Sequence, residues 1–276
     1  MAFIKNQVIA DAARAELKDK LVFARLAGTV VEDVDLKGLG SGDTKKFTEF
    51  ELTNMDLQVL AKGDSIFTDE IGQSSFDVTI EQLAFGKKFY DQDLKYSLSG
   101  NSIESESVRH ISMAFAQGLD NLALATATNS GRVVDASAGL TSNLILDEAV
   151  KDFGENTFDG ALAAMIVHPT KAGQFRNDPN FVPVSAYGYE NAQFGKQEVG
   201  MIGNVPVVMA NRTIAAATAG QYKNILVPKN AVLSLIGSEL SVENERFSKQ
   251  RMSEITADIF TGFASNPNVK GIVFEG

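Results

Sequence analysis

The strongest constraint in the sequence is one amphipathic helix predicted between residues 103 and 128. Asn101 or Ser102 can cap its start, and Ser130-Gly131 ends it. At 1.5 Å per residue this helix is about 39 Å long, and its many alanines let other elements lie close along it. The residues that form one face of this helix recur every three or four positions: Val108, Ile111, Phe115, Leu119, Leu122 and Thr126.

The segment from Glu198 to Asn211 predicts a turn followed by a short apolar strand. Gly200, Gly203 and Asn204 indicate the turn, and the strand runs from residue 205 to 210. Pro206 stands near the start of this strand, where a residue that cannot donate a ladder hydrogen bond is tolerated. The segment thus predicts a turn and a strand, but no chemistry.

Further buried strands surround this segment. Residues 161–167 form an apolar run that ends at His168-Pro169, and a helix is predicted directly after the proline. Residues 225–227 and 232–236 predict two more strands. Together these elements indicate one compact α/β unit over residues 133–237.

The last part of the chain has a different pattern. Leu240 and Val242 alternate with polar residues, as do Ile255, Ala257 and Ile259. Such alternation is typical of strands with one exposed face. These strands and the long helix predict a second, elongated unit.

Two further segments are predicted to project. Residues 47–52 and the alternating run Phe76, Val78, Ile80 indicate two strands joined by a long polar excursion, which is an extended hairpin. A loop of that length without its own core is generally functional. Residues 5–26 predict a small-residue helix, which is either a core helix or an arm that lies on a neighbour.

Composition excludes several classes of function. The chain has no cysteine, so disulfides, thiolate catalysis and cysteine metal sites are excluded. Its formal net charge is −10, from 25 basic and 35 acidic residues. A strongly acidic protein is a poor binder of nucleic-acid phosphates, but it suits a surface that faces nucleic acid without adhering to it.

Membrane and secretory segments are also not predicted. The longest apolar run, residues 161–167, is far shorter than the roughly 20 residues that a transmembrane helix needs. Lys5, Asp11 and Arg14 stand where a signal peptide would carry its apolar core. We therefore expect a protein made and kept in a cytoplasm, or in an assembly formed there.

The sequence contains no recognisable catalytic motif. His110 and His168 are the only histidines, and neither has a second ligand at helical spacing, so both are interpreted as structural. No Gly-x-Ser-x-Gly elbow occurs. We predict no catalytic, cofactor-binding or metal-binding residue, although a site built from paired carboxylates stays open.

Opposite charges crowd the stretch from Glu243 to Arg251. This stretch is either a solvated strand edge, where each ion pair contributes about 0–1 kcal/mol, or a charged seam between subunits. Charges at such a seam set register and exclude wrong partners. The residues alone leave both readings open.

The order of these elements resembles that of the major capsid proteins of tailed bacteriophages, which share the HK97-like fold. The resemblance rests on the hairpin, the long helix at 103–128, the strand ending near His168-Pro169, and the Gly-x-Ile-Gly-Asn-x-Pro-Val-Val stretch at 200–208. The stretch Val242-Glu-Asn-Glu-Arg246, leading to long strands, completes it. The implied fold class is α+β.

The resemblance implies a division of the chain. Residues 1–46 would be an N-terminal arm that changes position as the shell expands from a procapsid, and residues 47–81 would be an extended hairpin loop that reaches across a neighbour. Residues 82–132 and 238–276 would form a peripheral domain that includes the spine helix, and residues 133–237 an axial domain.

The implied function is a non-enzymatic capsid subunit, located in the virion and assembled in the host cytoplasm. It would form pentamers and hexamers of an icosahedral shell around double-stranded DNA, without sequence-specific DNA binding and without a membrane. Its partners would be further copies of itself, a portal, in some cases a decoration protein, and a separate scaffold protein, since the chain has no room for a long cleaved scaffolding region. Two alternatives stay open: a shell subunit of an encapsulin compartment and a carboxylate-dependent hydrolase.

The resemblance also names site residues. The structural turn comprises Gly200, Gly203 and Pro206. The predicted inter-subunit contacts are Lys62, Asp64, Asp69, Glu70, Glu243, Glu245, Arg246 and Arg251.

Overall fold

The computed structural model describes most of the chain. The described residues are 10–17, 29–31, 41–51, 72–90, 103–157, 161–188, 198–211 and 220–276, together with 21, 23, 216 and 218. The predicted helix over residues 5–26 therefore lies partly outside this description, and residues 10–17 are helical.

The described helices are α1 (10–17), α2 (Ile103–Ser130), α3 (Ser142–Phe153), α4 (Pro169–Ala172) and α5 (Val184–Tyr187), with 3₁₀ turns at Gly154–Thr157 and Gly173–Asn177. The described strands are β1 (Thr29–Val31), β2 (Thr44–Glu51), β3 (Gly72–Thr79), β4 (Glu81–Tyr90), β5 (Arg132–Asp135), β6 (Leu162–Val167), β7 (Phe181–Pro183), β8 (Glu198–Ile202), β9 (Val205–Met209), β10 (Lys223–Pro228), β11 (Val232–Phe247), β12 (Met252–Ser265) and β13 (Ile272–Glu275). No helix in these ranges is both long enough and apolar enough to cross a bilayer.

Helix α2 confirms the predicted long helix and is the element that both larger sheets share. Its first half packs Ile111, Phe115 and Leu119 against a four-stranded sheet. Its second half packs Ala123 and Ala127 against a seven-stranded sheet. The helix ends at Ser130. At the following Gly131 an added Cβ would lie 2.5 Å from Val273 Cγ2, so only glycine lets the chain pass β13 there.

The four-stranded sheet has the order β1-β11-β12-β4. One face carries Leu240, Val242, Ile255, Ala257 and Ile259, which pack on α1 and α2. The alternation predicted for the C-terminal strands is confirmed by this buried face. Residues 232–236, which were predicted for the compact unit, instead pair with β1 and β12 in this sheet. They also continue into the next predicted strand, because two register irregularities near residue 238 let β11 bend without ending.

The seven-stranded sheet has the order β5-β13-β10-β6-β9-β8-β7. Helix α3 covers one face with Ile145 and Ala149, and the second half of α2 covers the other. Strand β13 lies between β5 and β10. The predicted assignment of residues 238–276 wholly to the elongated unit is therefore corrected for Ile272–Glu275, whose three buried apolar residues complete this sheet.

Strands β2 and β3 pair with each other as a separate antiparallel hairpin, from Thr44 opposite Thr79 to Glu51 opposite Gly72. Only Ile80 separates β3 from β4. The hairpin is thus a direct extension of the edge strand of the four-stranded sheet.

We expect Gly200→Ala to destabilise the subunit by about 1–3 kcal/mol, because overpacking a core position typically costs that much. An added Cβ would lie 2.3 Å from Phe181 Cζ and 2.4 Å from the Val182 carbonyl oxygen. Urea denaturation of the unassembled subunit measures the change.

Gly118→Ala is the matched control. Gly118 lies inside α2, and an added Cβ would have nothing within 4 Å. This substitution should stabilise the subunit by about 0.5–1 kcal/mol, since alanine is the better helix former. Equal unfolding free energies for the two variants would contradict the packing described for Gly200.

Candidate inter-subunit surfaces

Four of the predicted inter-subunit contacts lie on the β11–β12 hairpin. Glu243, Glu245 and Arg246 are exposed on β11, and Arg251 is exposed in the turn before β12. Arg251 has a φ of 48°, a left-handed conformation that is uncommon for residues other than glycine and is typical of tight turns. The structure thus brings these four residues together towards the turn of one hairpin.

The register places two acidic residues opposite each other on this hairpin. Glu245 pairs with Glu254 across β11 and β12. On its other side Glu254 pairs with Lys88 of β4. Like charges in directly opposed positions are destabilising, and Lys88 places a basic residue of the same sheet beside Glu254.

A groove of about 530 Å³ lies on the exposed face of β4, β11 and β12. Ala84 and Gly86 leave room at its floor, and Glu243, Glu254 and Asp258 line it with carboxylates. The groove is therefore acidic, while the turn next to it carries the basic Lys249 and Arg251.

Internal hydrogen bonds hold one of the three carboxylates. Gln82 Nε2 donates to Asp258 Oδ2 at 3.1 Å, and the Ser241 hydroxyl bonds the other oxygen. Sequence reasoning named Glu243 but missed Glu254 and Asp258. Their alternation with buried residues predicted an exposed face, but only the strand register places them beside Glu243.

The other four predicted contacts, Lys62, Asp64, Asp69 and Glu70, lie outside the described residues. The described base of their hairpin packs on the body. Val78 is buried against Leu235 and Ala264, with Phe47 and Phe76 packed against this cluster. The Phe47 and Phe76 rings stack with centroids 5.8 Å apart.

The predicted structural turn is distributed over two strands and the turn between them. Gly203 has a φ of 60° and stands with Asn204 between β8 and β9. Gly200 instead lies within β8, where the adjoining Phe181 leaves no space for a side chain. Pro206 lies second in β9, just before the ladder with β6 begins at Val207, so its missing N–H leaves that ladder intact.

His168 has a structural environment. Its Nδ1 accepts the Thr170 backbone N–H at 3.3 Å, which caps α4. Its ring stacks on Tyr222 with centroids 3.5 Å apart, and burial lowers the pKa of His168. The interpretation of His168 as structural follows from these contacts, whereas His110 is exposed on α2.

The sequence did not predict the three buried carboxylates among the described residues, Asp120, Glu148 and Glu198. Glu198 is 4% exposed and accepts a hydrogen bond from the Tyr187 hydroxyl. Burial, and then this bond to Glu198, raises the pKa of Tyr187 well above its ordinary value. Tyr187 therefore stays protonated as a donor, and the contact joins α5 to β8.

Within the part of the chain that the structure describes, no three histidine, aspartate or glutamate side chains are grouped so that they could hold a metal ion.

Comparison with known proteins gives one curated relative of nearly the same extent. The chain is 28% identical over 258 residues to the major capsid protein of Staphylococcus phage phiMR11, covering 91% of this chain and 86% of that protein. No family model matches the chain.

Solved structures of phage capsids are similar to this chain over nearly the same residues. The capsid protein of Ralstonia phage GP4 is similar with a TM-score of 0.69 and 12% identity, covering 93% of this chain and 91% of that one. The chain has the HK97-like capsid fold. The mature capsid of bacteriophage PhiM1 gives a TM-score of 0.63 at 12% identity, with 92% and 86% covered. The resemblance to phage major capsid proteins predicted from the sequence is confirmed, as is the α+β class.

An encapsulin shares the fold. The SrpI encapsulin of Synechococcus elongatus PCC 7942 is similar with a TM-score of 0.57 and 13% identity, covering 74% of this chain and 77% of that one. The phage capsids cover more of the chain and have higher TM-scores in the two cases above.

We expect His168 to make the folded subunit sensitive to acid. Because burial lowers its pKa, the unfolded chain, with an ordinary pKa of about 6.5, binds the proton first as the pH falls. The contribution of His168 to stability is thus complete above that pH and is lost as the pH falls through the lowered value.

The variant His168→Asn keeps an oxygen that can cap α4 but does not titrate. Its unfolding free energy in urea should fall less than that of the wild type between about pH 7.5 and pH 5.5. The same decrease in both proteins would contradict the role given to His168.

Proposed function

We propose that this chain is the major capsid subunit of a tailed phage, a non-enzymatic protein that assembles into pentamers and hexamers of an icosahedral shell around double-stranded DNA. The proposal rests on one observation: the similarity in sequence to a phage protein and the similarity in structure to phage capsids both extend over most of the chain. The phage relative covers 91% of the chain, and phage capsid structures cover 92–93%.

In this proposal the seven-stranded sheet with α3 is the axial domain, predicted over residues 133–237. Strand β13 is added to it, and residues from Val232 onward are removed from it, because β11 belongs to the four-stranded sheet. The four-stranded sheet with α2 is the peripheral domain, residues 82–132 and the rest of 238–276. Residues 47–81 are the hairpin loop that reaches a neighbour, and residues 1–46 are the N-terminal arm. The confinement of β2 and β3 to a sheet of their own supports the role of the hairpin.

Physical considerations favour assembly. A two-stranded hairpin is marginally stable alone, and on this chain only the base of the hairpin is buried in the body among the described residues. Partner subunits would supply the remaining contacts. The net charge of −10 disfavours adhesion of packaged DNA to the wall.

The proposed partners are other copies of the chain, a separate scaffold protein, a portal and, in some phages, a decoration protein. Assembly would take place in the host cytoplasm, and the final location would be the virion. The predicted contacts on the β11–β12 hairpin and on residues 62–70 would lie between copies. The acidic groove beside a basic turn supports that role, because surfaces of opposite charge on one molecule can meet on neighbouring copies.

A second candidate is the shell of an encapsulin compartment, which the SrpI similarity favours. The phage assignment is preferred because the curated relative is a phage protein. A portal gene next to the gene for this chain would support the phage, and a neighbouring gene for a cargo enzyme would support the encapsulin.

The decisive experiment is expression of the full chain, alone and with the product of a neighbouring scaffold gene, followed by light scattering and negative-stain microscopy. Closed particles of uniform diameter are the expected result. A protein that remains monomeric under both conditions would contradict the proposal.

Charge reversal tests the proposed seam. Glu243→Arg and Arg251→Glu should each reduce the yield of particles. Each variant loses an attraction of about 0–1 kcal/mol per exposed pair and adds a repulsion. Both effects are repeated at every copy in the shell. Particle yield is measured by gradient sedimentation at fixed protein concentration.

The combined variant Glu243→Arg/Arg251→Glu should recover part of the yield if the two surfaces meet. Glu155→Lys, an exposed reversal on the 3₁₀ turn after α3, is the control and should assemble normally. Unchanged assembly of both single variants on β11–β12 would rule out this seam.

A further inference from the structure

The β2–β3 hairpin is fixed to the body at two separate places. The first is its base, where Val78 and Ile80 are 1% and 0% exposed. There the backbone continues the ladder, with Gly42 N–H donating to Ile80 O at 2.8 Å and Ile80 N–H donating to Asp43 O at 2.9 Å.

Gly262 determines how closely the base approaches. It lies on β12 opposite Leu235, and an added Cβ would lie 2.6 Å from the Thr79 carbonyl oxygen and 3.0 Å from Val78 Cγ1. Since ordinary contacts begin near 3.4 Å, any side chain at this position would push β3 away by several tenths of an ångström. The contact involves backbone, which cannot rotate aside as a side chain can.

The second place lies four residues further out on β3. Asn268 Nδ2 donates to Ser74 Oγ at 3.2 Å. At about 3.3 Å per residue, Ser74 is about 13 Å from Val78 along the strand. Two contacts at that separation fix the direction of the hairpin relative to the body, whereas the contact at the base alone would fix only the position of one end.

The turn that carries Asn268 is itself held rigidly. Asn266 is 3% exposed, and its Oδ1 accepts the Asn268 backbone N–H at 2.9 Å. The Asn266 N–H donates to Ala231 O at 2.9 Å. Such a side chain-to-backbone bond two residues on restricts a turn to one shape, so Asn268 is presented to the hairpin from a fixed position.

We propose that Gly262 and Asn268 are positioning residues that set the angle at which the β2–β3 hairpin leaves the four-stranded sheet, and that this angle sets the orientation of neighbouring copies and hence the size of the particle. The inference rests on the proposed function, because the hairpin acts on a neighbour only in a shell. Its first half concerns the single subunit and can be tested without assembly.

The angle is measured on the free subunit with two spin labels. The chain has no cysteine, so Thr48→Cys on the exposed face of β2 and Lys270→Cys after the Asn268 turn would be the only thiols; both positions are exposed. Pulsed electron resonance of the labelled subunit should give one narrow distance distribution. Asn268→Ala should broaden that distribution, and Gly262→Ala should shift its maximum.

Two controls separate positioning from general damage. Asn268→Asp replaces the Nδ2 donor with a carboxylate oxygen that can accept a hydrogen bond from the Ser74 hydroxyl, and it should therefore keep the narrow distribution. Gly118→Ala adds the same methyl group where nothing lies within 4 Å and should leave the distance unchanged. If Gly262→Ala does not fold, Asn268→Ala and its aspartate counterpart still decide the question.

The second half of the proposal, the link between the hairpin angle and particle size, is tested by cryo-microscopy of particles assembled from the same variants without labels. Wild type, Asn268→Asp and Gly118→Ala should give one particle diameter, while Asn268→Ala and Gly262→Ala should give more than one diameter or open sheets. Unchanged distances in the free subunit would overturn the positioning role. Altered distances with one unchanged diameter would overturn the link to particle size. Absence of particles from the wild type would instead refute the proposed function, and the distances would still report on the subunit.

Discussion

The contact of one helix with two sheets is the interaction on which the rest of this structure depends. The first half of α2 buries Ile111 and Phe115 under the four-stranded sheet, and the second half buries Ala123 and Ala127 under the seven-stranded sheet. Neither sheet can be removed without exposing part of the same helix, so the two hydrophobic clusters are linked through α2. Buried polar contacts strengthen the arrangement: Asp120, 3% exposed, accepts the Phe23 N–H at 3.0 Å.

Because the inner faces of both sheets pack on α2, the outer face of the four-stranded sheet and the β2–β3 hairpin are the surfaces proposed to contact partners. The exposed side of β4, β11 and β12 carries small residues and carboxylates, and the β2–β3 hairpin contacts the body at its base and through Ser74. In the proposed shell, both features would be completed by other copies.

Local patterns in the sequence were sufficient for several elements. The three-to-four-residue period at Val108 and Ile111 predicted α2, and the alternation at Ile255 and Ala257 predicted the buried face of β12, because each pattern reflects the geometry of a single element. The short strands β5 and β7 were not predicted, since three or four residues carry too little pattern to be distinguished from loop. The continuity of β11 was missed because a bulge near residue 238 interrupts the alternation without ending the strand.

The candidate site was predicted only in part. Glu243 and Arg251 could be named because charges cluster along the chain, whereas Glu254 and Asp258 join them through a register that local residues do not specify. Gly262 and Asn268 gave no signal at all, since a glycine in a strand and an asparagine in a turn have many ordinary reasons to occur.

The sequence by itself determined the long helix, the alternating strands, the two strands of the hairpin and the absence of cysteine chemistry, because these depend on residue type and on spacing along the chain. The tertiary structure alone decided that β13 belongs to the seven-stranded sheet, that three carboxylates share one groove, and that the base of the hairpin packs on Leu235 and Ala264. Each of these depends on contacts between residues that are distant in sequence, and such contacts exist only after the sheets have packed on α2.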